Sequence, residues 1–180
     1  AAALTSTQLN ALTSTNLEAL TTTQSAALTT TQVANLSSTQ LNPMQTSDVA
    51  ALSTTAVASL TSTQLNALHT AQISLLSSVQ ISGLTSAQIG GLDTTRFSAL
   101  SSTQLGGLTT TQIKGITAVE LGVLTTRQLS GLTSTQINSL ATASMAALST
   151  AALKGFTTAQ IAAMTSTQVS ALTSTQVPAF

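Results

Sequence analysis

The sequence predicts an all-α solenoid of very short capped helices, one per eight residues. Three observations predict it. An aliphatic or Phe residue recurs every eight positions from Leu4 to Phe180 without a slip. Directly after it comes Ser or Thr, followed three residues later by Gln, the spacing of a helix capping box. All nine glycines fall on the last two positions of the repeat. Repeats of fixed period are the mark of stacked architectures, and here they form one continuous array over residues 1–180. It holds 22 full octads at 4–179, with no internal domain boundary.

With positions lettered a to h, the consensus is L-T-S/T-T-Q-L/I/V-x-A/G. Position b is Ser, Thr or Asp in 19 of 22 octads and e is Gln in 15, with Glu120 in a sixteenth. In a capping box the b hydroxyl accepts the backbone N–H of the third helical residue, and the Gln there reaches back to the N–H of b. Thr5 with Gln8, Thr133 with Gln136 and Thr165 with Gln168 are examples. The residue before the cap and the fourth helical residue pack as a hydrophobic staple. Those are a and f, as in Leu4 with Leu9, Leu132 with Ile137 and Leu172 with Val177; f is apolar in 21 octads, Ser25 being the exception. Small residues at g and h suit a helix end at which the backbone takes a left-handed turn.

Spacing tests the rivals. One continuous helix would rotate its apolar stripe by roughly 80° per octad, because 8 does not fit a 3.6 period. A flat strand would send a and f to opposite faces, since they are separated by 5 and 3 residues. A β-solenoid, whose corners reset the alternation, is the alternative fold. Helices of about six residues do not stand alone in water, so each octad must bury a and f against neighbouring octads.

The breaks in the pattern are few. Gln45, His69 and Ala141 replace the cap, so octads around 45–59 and 141–154 are expected to be the softest. Asp93 and Arg96 keep a cap while adding an i,i+3 ion pair. Pro43 at h is tolerated past a helix end, whereas Pro178 at g is expected to distort the last octad. Neither end carries a polar terminal repeat, which predicts a window from a longer array or ends that meet another subunit. Ala1–Ala3 show no initiator Met or signal peptide, as in a mature product or an excerpt.

Composition narrows the function. Only 4% of residues are charged, against roughly 25% in ordinary globular chains. Four scattered bases cannot supply the counterion release that nucleic-acid binding needs. No apolar run approaches the roughly 18–20 residues of a membrane span. Without Cys there are no disulfides or thiolate metal sites. His69 stands alone, and Glu18, Asp48, Asp93 and Glu120 are too dispersed for metal or glycosidase work. No Ser sits in a nucleophile elbow, and Gly90-Gly91 and Gly106-Gly107 are not phosphate loops. The chain is therefore expected not to be an enzyme, with no catalytic, cofactor-binding or metal residues, no cofactor and no small-molecule substrate. The sequon Asn35-Leu36-Ser37 reads as chance. Recurring b/d pairs such as Thr5/Thr7, Thr13/Thr15, Thr109/Thr111 and Thr173/Thr175 would make an ice-binding ladder on a β-solenoid, but d lapses at Ala71, Val79, Ala87, Val119, Arg127, Ala143, Ala151 and Ala159.

Runs such as Leu132-Thr133-Ser134-Thr135-Gln136-Ile137 resemble octapeptide arrays of large secreted bacterial proteins of adhesin- or exoprotein-like type. The resemblance implies an extracellular or cell-surface structural part, in a fibre or biofilm matrix, and transfers no active-site residues. The expected function is a structural repeat protein that forms or extends an extracellular filament by stacking octads. Its partner would be itself, as homopolymer or lateral associate, because little like charge opposes association. The alternative is an adhesin or a ligand- or ice-binding solenoid surface.

Overall fold

A computed structural model describes residues 4–179; Ala1–Ala3 and the a residue Phe180 lie outside the described residues. The chain is all-helical, with no strand among the described residues, so the β-solenoid alternative does not hold. The helices are α1 (Ser6–Asn10), α2 (Ser14–Glu18), α3 (Thr22–Ala26), α4 (Thr30–Ala34), α5 (Ser38–Leu41), α6 (Thr46–Ala51), α7 (Thr54–Ala58), α8 (Ser62–Ala67), α9 (Thr70–Leu75), α10 (Ser78–Ser82) and α11 (Ser86–Ile89). They continue as α12 (Thr94–Ser98), α13 (Ser102–Gly106), α14 (Thr110–Gly115), α15 (Ala118–Gly122), α16 (Thr126–Ser130), α17 (Ser134–Ser139), α18 (Thr142–Ala146), α19 (Thr150–Leu153), α20 (Thr158–Ala162) and α21 (Ser166–Ser170). A 3-10 turn at Val177–Ala179 closes the array, because Pro178 has no N–H to give an α-helix there.

Each helix starts where the octad places its cap. Thr5 is extended (φ −69°, ψ 159°) and its hydroxyl accepts the N–H of Gln8, and Thr133 and Thr165 do the same for Gln136 and Gln168. The chain leaves the helix through a right-handed residue, as at Gly131 (φ −77°, ψ −16°). It then extends through a and b, as at Leu140 (φ −65°, ψ 142°). That alternation turns each corner without any positive φ among the described residues. The left-handed helix end expected at g or h is therefore not used. The extended a residue does the turning, and glycine serves another purpose there.

Every helix packs against the one three further along, from α1 on α4 to α19 on the final 3-10 turn. Three helices thus make one turn of the solenoid, and three octads of eight residues make its 24-residue rise. The a and f side chains fill the interior: Leu132 and Ile137, Leu36 and Leu41, Leu100 and Leu105 are all buried in one core. At the first turn Leu9 is buried while Leu4 is half-buried. At the last turn Leu172 is half-buried and Val177 is 57% exposed, so Val177 is not the core residue that its phase implies. The 3-10 turn around Pro178 replaces its helix.

Candidate functional site: an amide ladder between turns

The Gln at e does more than the capping box asks of it. The helix start places it as third helical residue, with its side chain folded back over the corner. Gln136 shows the arrangement. Its Oε1 accepts the N–H of Thr133 (2.7 Å), and its own N–H donates to the Thr133 hydroxyl (3.2 Å). Its Nε2 then donates downward to the carbonyls of Leu105 (2.9 Å), Gly106 (3.2 Å) and Leu108 (2.7 Å). Leu105 and Gly106 end α13, whose last carbonyls have no partner within their own helix. One amide therefore closes the start of its own helix and the end of a helix in the turn below. Gln168 repeats this on Ile137 and Leu140, both at 2.8 Å, and Gln104 on Ile73 and Leu76.

The pattern recurs from Gln32 to Gln176. Nearly all of these glutamines are buried, as Gln72, Gln112 and Gln160 are, which in a low-dielectric interior strengthens each bond and penalises its absence. In the first turn Gln8 and Gln24 make only the capping half, and both are exposed. The sequence held a signal for this second role. Glu closes a capping box as well as Gln, yet e is Gln fifteen times and Glu once. Only the amide carries a donor.

Departures from Gln sort by whether they keep that donor. Arg96 keeps it: its Nε donates to the Leu68 carbonyl (3.0 Å), while its Nη1 pairs with Asp93 (3.1 Å) as the i,i+3 spacing predicts. Because Arg cannot accept the N–H of Asp93, Asn66 Oδ1 does so (2.9 Å). Gln45 and Asp48 exchange the usual roles of b and e. Gln45 Nε2 donates to the Glu18 carbonyl (2.9 Å), and Asp48 is buried with Oδ2 unpartnered. Burial pushes the Asp48 carboxyl above its ordinary pKa. Glu120 accepts the N–H of Thr117 (2.7 Å) but leaves Oε1 buried and unpartnered. Ser144 reaches the Ile116 carbonyl only at 3.4 Å, and Ala56 and Ala152 carry no donor. His69 is exposed, and its N–H donates to Gln72 (2.6 Å).

The glycines serve close approach between turns. A Cβ on Gly131 would meet Ser102 Cβ and its carbonyl at 2.6 Å, and one on Gly155 would meet Thr126 Cβ at 2.7 Å. In each case position h lies on position c of the turn below. Asn at g bonds across a second contact, to h of the turn above: Asn42, Asn66 and Asn138 donate to the carbonyls of Ala67, Gly91 and Ala163.

A buried ladder of this kind, written into every octad, marks the chain as a stacked repeat. The model of the ALTTAQ repeat matches residues 1–38, 41–78, 65–94 and 137–174. The chain belongs to the ALTTAQ repeat family. No curated protein matches it. The family description concerns a repeat and does not extend to adhesins or exoproteins. Between the matched segments, residues 95–136 of this ALTTAQ array hold Arg96, Lys114, Glu120 and Arg127, half of its charged side chains. They fold into the same octads. Among the described residues, no helix is long and apolar enough to cross a membrane, and no cluster of His, Cys, Asp or Glu could hold a metal ion. The threonine pairs Thr5/Thr7, Thr13/Thr15 and Thr109/Thr111 sit on helix starts, whereas Thr173 and Thr175, in the turn before Val177–Ala179, bond hydroxyl to hydroxyl (2.9 Å).

Proposed function

We propose that this ALTTAQ array is a structural rod, a segment of an extracellular or cell-surface filament that lengthens by stacking octads, and not an enzyme. One observation carries the reading: wherever e is Gln, the ladder aims the same amide donor at the same corner carbonyls, so one Gln-bearing turn can sit on the corners of another. Added octads of one chain and the terminal turn of a second copy would meet the same acceptors. The partner is thus an identical chain or more of the same one. A polar, nearly uncharged surface supports association and suits a secreted polymer. The adhesin and ice-binding alternatives have less behind them, because threonines on helix starts do not form a flat β-ladder.

Electron microscopy of the purified chain over a concentration series tests this. Rods of constant width that lengthen with concentration are expected. Dispersed particles of single-chain length at every concentration would overturn the reading. Surface proteolysis of intact cells, with detection of the released chain, tests its location.

A further inference from the structure

At Glu120 a carboxylate takes the place of the ladder's amide, and it does so inside the core, 3% exposed. Its Oε2 accepts the N–H of Thr117 (2.7 Å), and its own N–H donates to the Thr117 hydroxyl (3.2 Å). The capping half of the rung is therefore that of Gln136, and Oε1 stands where Gln places Nε2. In Gln112 and Gln136 that nitrogen donates to the carbonyls 31 and 28 residues back. Counted from Glu120 these belong to Ile89 and Leu92, with Gly90 between them, as Gly106 is for Gln136. An oxygen that carries no donor is thus set against carbonyl oxygens, and it has no partner.

A carboxylate taken out of water is costly unless an opposite charge meets it. No side chain supplies one. Among the described residues the one ion pair joins Arg96 to Asp93 (3.1 Å), and Arg96 also gives its Nε to the Leu68 carbonyl. The corner beneath Glu120 leaves room for a small ion instead. Gly90 and Gly91 put no side chain over their carbonyls, and the Gly115 carbonyl lies against Gly90 from the turn above. All three glycines are half-buried, which leaves a path from solvent.

We propose that Glu120, with the carbonyls of Ile89, Gly90 and Leu92, binds a monovalent cation of the sodium class, which closes this rung as the amide hydrogen does elsewhere. Carboxylate and carbonyl oxygens are the ligands of hard cations, and carbonyls replace the hydration shell of an alkali ion. One carboxylate balances one positive charge, so the occupied site is neutral. Calcium takes roughly 6–8 oxygens and would leave an excess charge buried. The site needs no cluster of acids, because the main chain supplies the other oxygens. Asp48 does not repeat it: its side chain is one methylene shorter, and Gln45 already holds the Glu18 carbonyl at that corner (2.9 Å).

The inference concerns a single chain and stands apart from the rod reading. Urea denaturation of the full chain tests it, with sodium chloride exchanged for tetramethylammonium chloride at constant ionic strength. An ion that binds only the folded state shifts the equilibrium by mass action, so each tenfold rise in sodium above its Kd should raise the wild-type folding constant about tenfold. Glu120→Gln, which puts an amide hydrogen where the ion sits, should not respond. That variant should be the more stable chain without sodium and lose its lead as sodium is added. Gln136→Glu sets a carboxylate over the like corner of Leu105, Gly106 and Leu108, and its response should steepen to about a hundredfold for the same rise. No sodium response in the wild-type chain, an equal response in Glu120→Gln, or a response to calcium alone overturns the proposal.

Discussion

The e side chain is where local and long-range structure meet, and its chemistry decides what each octad contributes. Gln104 makes one bond to its own cap and two to the turn below, all inside the core. Removing a buried partner leaves its counterparts unsatisfied, at about 1–3 kcal/mol. Gln104→Ala should therefore destabilise the chain by about that amount in chemical denaturation. Glu120→Gln should do the reverse, gaining about 1–2 kcal/mol by placing a donor where Oε1 has no partner. An equal or lower midpoint for that variant would refute the ladder as a source of stability. Asp48 gives a pH-dependent case. Its folded pKa is raised by burial, so the folded state holds a proton that the unfolded chain releases above about pH 3.9. The protonated side chain's contribution is complete below that value and is lost as pH rises through the folded pKa. Asp48→Asn should thus stabilise at neutral pH, with the gain shrinking as pH falls toward 4. A gain independent of pH would contradict it.

At the scale of one helix, the octad was readable because its signals are local. Cap, box and staple all lie within six residues, and Thr133, Gln136, Leu132 and Ile137 take the places their spacing implies. What was not readable lies 24 to 31 residues away: three octads per turn, the carbonyls beneath each Gln, and the surface beneath each glycine. Hence the expectation of a left-handed glycine failed, since a helix end and a close contact call for the same small residue. Two glycines separate these causes. Gly131→Ala should destabilise by about 1–3 kcal/mol, because its Cβ would press on Ser102. Gly122→Ala should gain about 0.5–1 kcal/mol from reduced backbone freedom, since its nearest neighbour would be the Ala147 carbonyl at 3.6 Å. Thermal melts of both check this, and a left-handed requirement would penalise the two alike. The weak caps gain a second cause as well. Asp48 and Ala56, then Ser144 and Ala152, are consecutive e positions with poor or absent donors. Amide exchange should be fastest in α6, α7, α18 and α19, and slowest through α8 to α11, where each helix carries its Gln.

The whole molecule is close to one-dimensional, so length should be a free variable. Each turn meets only its neighbours, and stability in such arrays is a sum of repeat and interface terms. Excising residues 60–83 removes three octads, one turn, and rejoins Ser59 to Leu84 with the octad phase intact. Gln88, Arg96 and Gln104, which lose the corner carbonyls of Leu60, Leu68 and Leu76, then meet those of Leu36, Met44 and Leu52, and every later e residue keeps its own partner. The shortened chain should fold and lose the stability of one interface. Its rod, measured by small-angle scattering, should shorten by roughly 8–10 Å, one helix-packing distance; a continuous helix would lose roughly 36 Å for the same 24 residues. Excising one octad, 60–67, is the sharper experiment. It preserves the ladder, because every octad carries the same cap and core, but it moves each later corner round by one edge. Ala99 and Val123 would then leave the line of Ala27 and Ala51. The variant should fold with stability near that expected for 21 octads in chemical denaturation; a loss much larger than one octad's share would make the 24-residue turn, and not the octad, the unit that folds.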